Sequence, residues 1–222
     1  MAQDPEPRPN DSNQSWHRVP LPLSQDTGAV AELLQHRRSS KSYRGDRIDL
    51  VTLSRLLSTT GGMVPEQRRP YGSAHARYDV MVTVVVAAVD GLVPAVYRYV
   101  PTEHSLVCTA EGQRISSIAG STLDADWLTE CPVVLILSAD LSAANNAFED
   151  QGPGRGERFC WFEAGLIAQN IYLWVTENTL GTVFLGGLDS TRMQVAAEGM
   201  IPPSHTVLGL LPIGRSKRTG PA

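Results

Sequence analysis

Hydrophobic positions are sparse and unpatterned up to about residue 26, then recur in two distinct periods to the end of the chain. The early stretch buries too little apolar surface to offset ordering entropy, so residues 1–26 are expected to form a flexible arm that only Trp16 could pin down. A helix is predicted over 29–38, capped by Asp26 or Thr27, with Val30, Leu33 and Leu34 on one face. A second is predicted over 50–59, with Asp49 as N-cap, a Leu50, Leu53, Leu56, Leu57 stripe and a stop at Gly61-Gly62. Residues 78–89 form an unbroken, β-branched apolar run, the pattern of a strand covered on both faces. Asp90-Gly91 is a turn signal, 93–100 the returning strand and 104–108 a short third one.

Short helices fit 112–119 and 124–130, and 132–139 is another buried strand. Residues 141–156 read as a Gly-, Asn- and Ala-rich loop. The longest helix is predicted from about 157 to 180, closing at Gly181, with an apolar surface too broad for a one-sided helix. A strand-like 183–185, a helix over 190–198 and a last strand over 206–213 complete the chain. Helices alternate irregularly with hairpins, which predicts an α+β fold with a mixed, mostly antiparallel central sheet flanked by helices.

Composition narrows the function. At 222 residues and 42% hydrophobic, the chain can bury one sizeable core, over 27–222. A net charge of −4 with no basic cluster argues against nucleic acid. Three cysteines without CxxC or metal-ligand spacing predict free thiols, mostly buried, and no metal site. No apolar run reaches membrane-spanning length and no leader pattern is visible, so a cytoplasmic protein is expected.

Two segments hold candidate chemistry. Arg37, Arg38, Ser39 and Lys41 place guanidiniums, a hydroxyl and an ammonium at the end of the first predicted helix. These suit a phosphate and a developing negative charge, although basic groups also complement a helix C-terminus. Gly186-Gly187 sits between a strand-like segment and a helix, where backbone N–H groups can approach a planar ligand. It could equally be a tight turn capped by Asp189 or Ser190. Arg215 follows the last strand and could fold back onto a phosphate.

The order and spacing of these segments resemble the nitroreductase-like family of FMN enzymes, and within it the SagB-type dehydrogenase and oxidase branch. The matching stretches are RRSSK (37–41), PYGSAHARYDVMV (70–82), EAGLIAQN (163–170), FLGGLDS (184–190) and IGR (213–215), spanning about 28 to 215. The resemblance implies FMN as cofactor, bound in two symmetric pockets of a homodimer built by both chains. It implies that Arg37, Ser39 and Arg215 serve the phosphate, Arg38 the ribityl or phosphate side, Lys41 the pyrimidine edge, and Gly186 and Gly187 the flavin N5. Gly72 and Ser73 fall in the flavin-facing loop. Here that loop departs from the family's Pro-Ser pattern by placing Tyr71 after Pro70, and Tyr71 and His75 become candidate proton donors. The Lys-Tyr pair that azoline-oxidising relatives carry before the central helix is not present in residues 152–159.

Three functions follow from the resemblance. The first is an FMN-dependent dehydrogenase or oxidase taking hydride from a peptide-derived or other specialised small molecule and passing electrons to oxygen. The second is an NAD(P)H-dependent nitro or quinone reductase. The third is a flavin-free scaffold or partner subunit whose site has decayed.

Overall fold

The computed structural model of the chain describes residues 19–22 and 27–217, so the expectations for Trp16 and most of the 1–26 arm lie outside the described residues. The chain begins with α1 (Ala29–His36), β1 (Ile48–Asp49) and α2 (Leu50–Gly61). Next come β2 (Met81–Val86), β3 (Val89–Asp90), β4 (Ala95–Val100), β5 (Ser105–Glu111), α3 (Ile115–Ala119) and β6 (Val133–Ala139). It ends with α4 (Leu141–Ala147), α5 (Arg155–Glu177), α6 (Ser190–Ala196) and β7 (Thr206–Ile213).

Five strands form one antiparallel sheet in the order β5-β4-β2-β6-β7, and β1 pairs with β3 in a short parallel ladder. The fold is α+β, as the pattern predicts. The apolar runs lack alternation because both sheet faces are covered. Val82, Val84, Leu135, Leu137 and Leu211 join the cluster under α2 and α5. Val85, Val134, Ile136 and Leu210 join the opposite cluster, with Ile115, Ile118 and Met193 of α3 and α6. Asp49 caps α2 as expected, accepting from the Thr52 N–H at 2.7 Å. Gly62 ends that helix.

Several local expectations are corrected. The N-cap of α1 is Gly28 and not Thr27, and it makes no side-chain cap bond. Residues 141–156 are not a loop throughout: Asp140 accepts from the Ala143 N–H at 2.8 Å and starts α4. The long helix α5 starts two residues early and stops at Glu177, where the Asn178 side chain donates to the Trp174 carbonyl. Residues 183–185 form no strand; Leu185 makes a single bridge to Leu210 of β7. Residues 126–130 wind as a 3-10 turn. Helix α5 is not buried all round, because Trp161, Phe162 and Leu166 are exposed while Ile167, Ile171 and Trp174 are buried. Cys131 and Cys160 are buried and Cys108 is exposed, all as free thiols. Among the described residues no helix is long and apolar enough to cross a membrane.

Candidate active site

The basic segment after α1 runs beside the end of the chain and the stretch that follows α5. The Ser40 N–H donates to the Thr182 carbonyl at 2.9 Å, and Arg44 N–H to the Arg215 carbonyl at 3.0 Å. Bridges join Tyr43 to Ser216 and Gly181 to Gly214. Beneath them Tyr43 is fully buried, its hydroxyl donating to the Ser40 carbonyl at 2.7 Å. Burial raises its phenol far above the ordinary value, so it remains a donor.

One α5 residue ties these strands of the site together. The phenolic oxygen of Tyr172 accepts from the Phe184 N–H at 2.9 Å and lies 3.1 Å from Ser39 Oγ. Since that oxygen accepts from Phe184, its own hydrogen is available to Ser39. The Arg37 guanidinium sits 5.0 Å from the centre of the same ring. Tyr172 was missed in the sequence because it reads as one more apolar position of a long helix. The available signal was its chemistry: an enclosed tyrosine hydroxyl usually finds a polar partner.

Positive charge at this end is poorly compensated. Among the described residues Arg38 donates only to the carbonyls of Gln35 and Arg37. Lys41 Nζ is 4.0 Å from Asp124 Oδ2, with both side chains well exposed, a spacing worth little in water. Among the described residues Arg37, Arg38 and Arg215 have no carboxylate partner. Gly186 and Gly187 are exposed beyond Phe184, and a Cβ on either would meet nothing closer than 3.8 Å. The arrangement offers hydroxyls, guanidiniums and open backbone to an anionic, flat ligand.

Gly72 and Ser73 lie in a loop fastened to α5 by residues that precede Tyr172. Asn170 Nδ2 donates to the Pro70 carbonyl at 2.9 Å, and Glu163 Oε1 accepts from the Val80 N–H at 2.9 Å. Of these two anchors Asn170 is two residues from Tyr172, roughly 3 Å along the helix axis, and Glu163 nine, roughly 14 Å. Ser73 Oγ accepts from the Tyr78 N–H at 2.8 Å. Tyr71 turns inward, packing edge-on against Tyr78 at 5.8 Å, and burial raises its phenol well above the usual range. His75 is exposed at a left-handed φ of 52° with its ring 5.3 Å from that of Phe148. Of the two proton-donor candidates, only His75 faces solvent.

Glu163 itself is buried, which raises its pKa against the lowering effect of its bonds to Ser73 and Val80. An acid with a raised folded pKa stabilises the fold below its unfolded value, and loses that contribution as pH rises through the folded one. Glu163→Gln keeps an acceptor for Val80 and cannot ionise. Melting curves from pH 5 to pH 8 are expected to show the native protein losing more stability than E163Q, with the gap widening upward. Parallel curves would contradict this.

The sequence matches the nitroreductase family over residues 34–215. The chain belongs to the nitroreductase family. Members of that family are flavin-dependent oxidoreductases. A Methanocaldococcus jannaschii protein named as a nitroreductase is 30% identical over 187 residues, covering 84% of this chain and 90% of its own. The fold is shared with solved structures of lower identity. A nitroreductase from Anabaena variabilis superposes with a TM-score of 0.73 at 21% identity, over 85% of this chain, which spans only 38% of that longer one. The E. coli microcin synthetase McbBCD complex, solved with truncated pro-MccB17 bound, gives 0.71 at 18%, over 94% of this chain and 80% of the other. A nitroreductase from Desulfovibrio desulfuricans, solved in complex with FMN, gives 0.61 at 14%, over 89% and 91%.

Proposed function

We propose that residues 27–222 form an FMN-binding domain of a homodimeric dehydrogenase or oxidase of SagB type. It takes hydride from a peptide-derived or other specialised small molecule and hands the electrons to oxygen. The observation that carries this reading is the meeting of Arg37, Ser39 and Ser40 with the Thr182–Phe184 stretch, which leads into Gly186-Gly187, around Tyr172. The donor set fits FMN: guanidiniums without a carboxylate partner among the described residues and a hydroxyl for a phosphate, a lysine for the pyrimidine edge, and unhindered glycines for the ring. Bound there, FMN would supply the two-electron redox chemistry. Arg37, Arg38, Ser39 and Arg215 would hold its phosphate side, Lys41 its pyrimidine edge, and Gly186 and Gly187 its N5 side.

A second copy completes the pocket. Phe162 is 65% exposed and Leu166 45%, and Leu166 lies beside Gly72. Exposed apolar side chains of this kind, and Val30 and Leu34 of α1, suit burial against a two-fold partner. Across such a contact the partner copy's Gly72–Ser73 loop would reach the flavin, and His75 would be its exposed proton donor. The SagB-type reading draws support from EAGLIAQN on α5 and from the shared fold with the microcin synthetase complex.

The relative at 30% identity favours a second reading, an NAD(P)H-dependent nitro or quinone reductase that uses the same cofactor residues. Two measurements on FMN-loaded protein separate them. Candidate modified peptides incubated under air should lose two mass units if the first is right. Rapid anaerobic bleaching by NADPH, with no peptide product, selects the second. A preparation that stays colourless when supplied with FMN overturns both and returns the flavin-free scaffold.

A further inference from the structure

A cavity of about 280 Å³ opens between α2 and the β4–β5 hairpin, lined by Leu50, Leu53, Leu57, Leu92 and Leu106 with Ser54, Tyr99, His104 and Ser105. It lies at the β5 edge of the sheet, whereas the basic and glycine segments gather near β7. Four strand spacings of about 4.8 Å, roughly 19 Å, separate the two edges. The hydrocarbon wall is broken by one polar relay. Ser54 Oγ is 2.8 Å from His104 Nε2, and His104 Nδ1 is 2.9 Å from the Tyr99 hydroxyl. His104 is held at a left-handed φ of 47°, a conformation that costs a β-carbon residue free energy.

The relay has a hydrogen to spare. With a neutral imidazole, the serine, the ring and the tyrosine own three donor hydrogens but share only two bonds. Either Ser54 or Tyr99 therefore keeps a hydroxyl hydrogen with no acceptor among the described residues, and both residues line the cavity. An occupant needs an oxygen that accepts it. The occupant's head is also neutral, because the Glu103 carboxylate accepts from Ser105 Oγ at 3.2 Å at the same rim and would repel a second carboxylate. At about 30 Å³ per water-sized group, the space holds roughly nine non-hydrogen atoms.

We propose that this cavity is a second ligand site, which binds a small neutral carbonyl compound with an aliphatic body of about seven or eight carbons. Its hydrocarbon part packs among the leucines, and its oxygen accepts from the Ser54–His104–Tyr99 relay. This site is independent of the flavin reading.

The probe is 2-octanone, titrated into the full chain while leucine methyl and histidine ring signals are followed by NMR. Saturable shifts confined to the cavity residues are expected, with Kd on the order of 1 mM or tighter. The double variant Ser54→Ala with Tyr99→Phe removes both hydroxyls that can carry the spare hydrogen and leaves the His104 turn in place. It is expected to weaken binding about fivefold, the equivalent of one hydrogen bond. Leu106→Trp, which fills the cavity from β5, is expected to abolish it. Failure of 2-octanone to saturate, octanoate binding as tightly as 2-octanone, or unchanged affinity in either variant overturns the proposal. A double variant that melts lower yet binds normally does so too, since the relay would then only brace the hairpin.

Discussion

Gly181→Ala is expected to lower FMN affinity at least tenfold while leaving the chain folded. A Cβ at Gly181 would lie 2.6 Å from Ser40 Oγ and 2.7 Å from Ser40 Cβ. The second atom is fixed to the backbone, so the clash is not relieved by rotating a side chain. Residues 39–41 would have to move off the 181–184 stretch, breaking the Ser40 N–H bond to Thr182 and parting Ser39 from Tyr172. The phosphate-side and ring-side groups would then no longer share one frame. The stability loss should stay at about 1–3 kcal/mol, the usual range for overpacking. Flavin absorbance of the purified variant, and its Kd on reloading, read the effect. Gly61→Ala is the control: a Cβ there meets nothing within 4 Å, and alanine suits a helix end. If G181A holds FMN as tightly as the native protein, the proposed site is in the wrong place.

Gly156→Ala tests the scaffold. Gly156 is buried at the start of α5, and a Cβ there would overlap the backbone carbonyl of Ala144 in α4. The Glu157 N–H donates to Asn145 Oδ1 at 2.9 Å in the same contact, so the two helices cannot part without losing that bond. Because backbone meets backbone, we expect at least about 3 kcal/mol of destabilisation, in the upper part of the range for single substitutions. Urea unfolding measures it, and a loss under 1 kcal/mol would show that α4 yields easily. Arg37, Ser39 and Tyr172 lie toward the other end of α5, so any folded G156A should keep the Ser39–Tyr172 contact, whereas the loop that carries His75 packs on Phe148 beside the disturbed contact.

Much of the frame was legible because the signals were local. The apolar run at 78–89 and the stripe of α2 each declare their burial within a few residues, and the capping role of Asp49 is readable from position alone. Helix α4 was not legible, since its Leu-Ser-Ala-Ala-Asn-Asn-Ala sequence carries no apolar stripe and it is held by Gly156 eleven or more residues away. The segment 183–185 looked like a strand from its residue types, yet it is held by one bridge to β7 and by Tyr172. The candidate residues at 37–41, 186–187 and 215 could be listed from motifs. That Tyr172 joins Ser39 to the Phe184 backbone was hidden, because these partners lie 133 and 12 positions away. The inward turn of Tyr71 was hidden for the same reason, resting on a core assembled from distant elements.

Helix α5 fastens two things that the proposed dimer uses in different pockets. Through Glu163 and Asn170 it carries the loop meant for the partner's flavin, and through Tyr172 it aligns the groups meant for its own. Between about half a turn and two and a half turns of helix join these attachment points. Loading one pocket therefore tugs on the rod that presents the loop to the other, and the two flavins of such an assembly would not fill independently of each other.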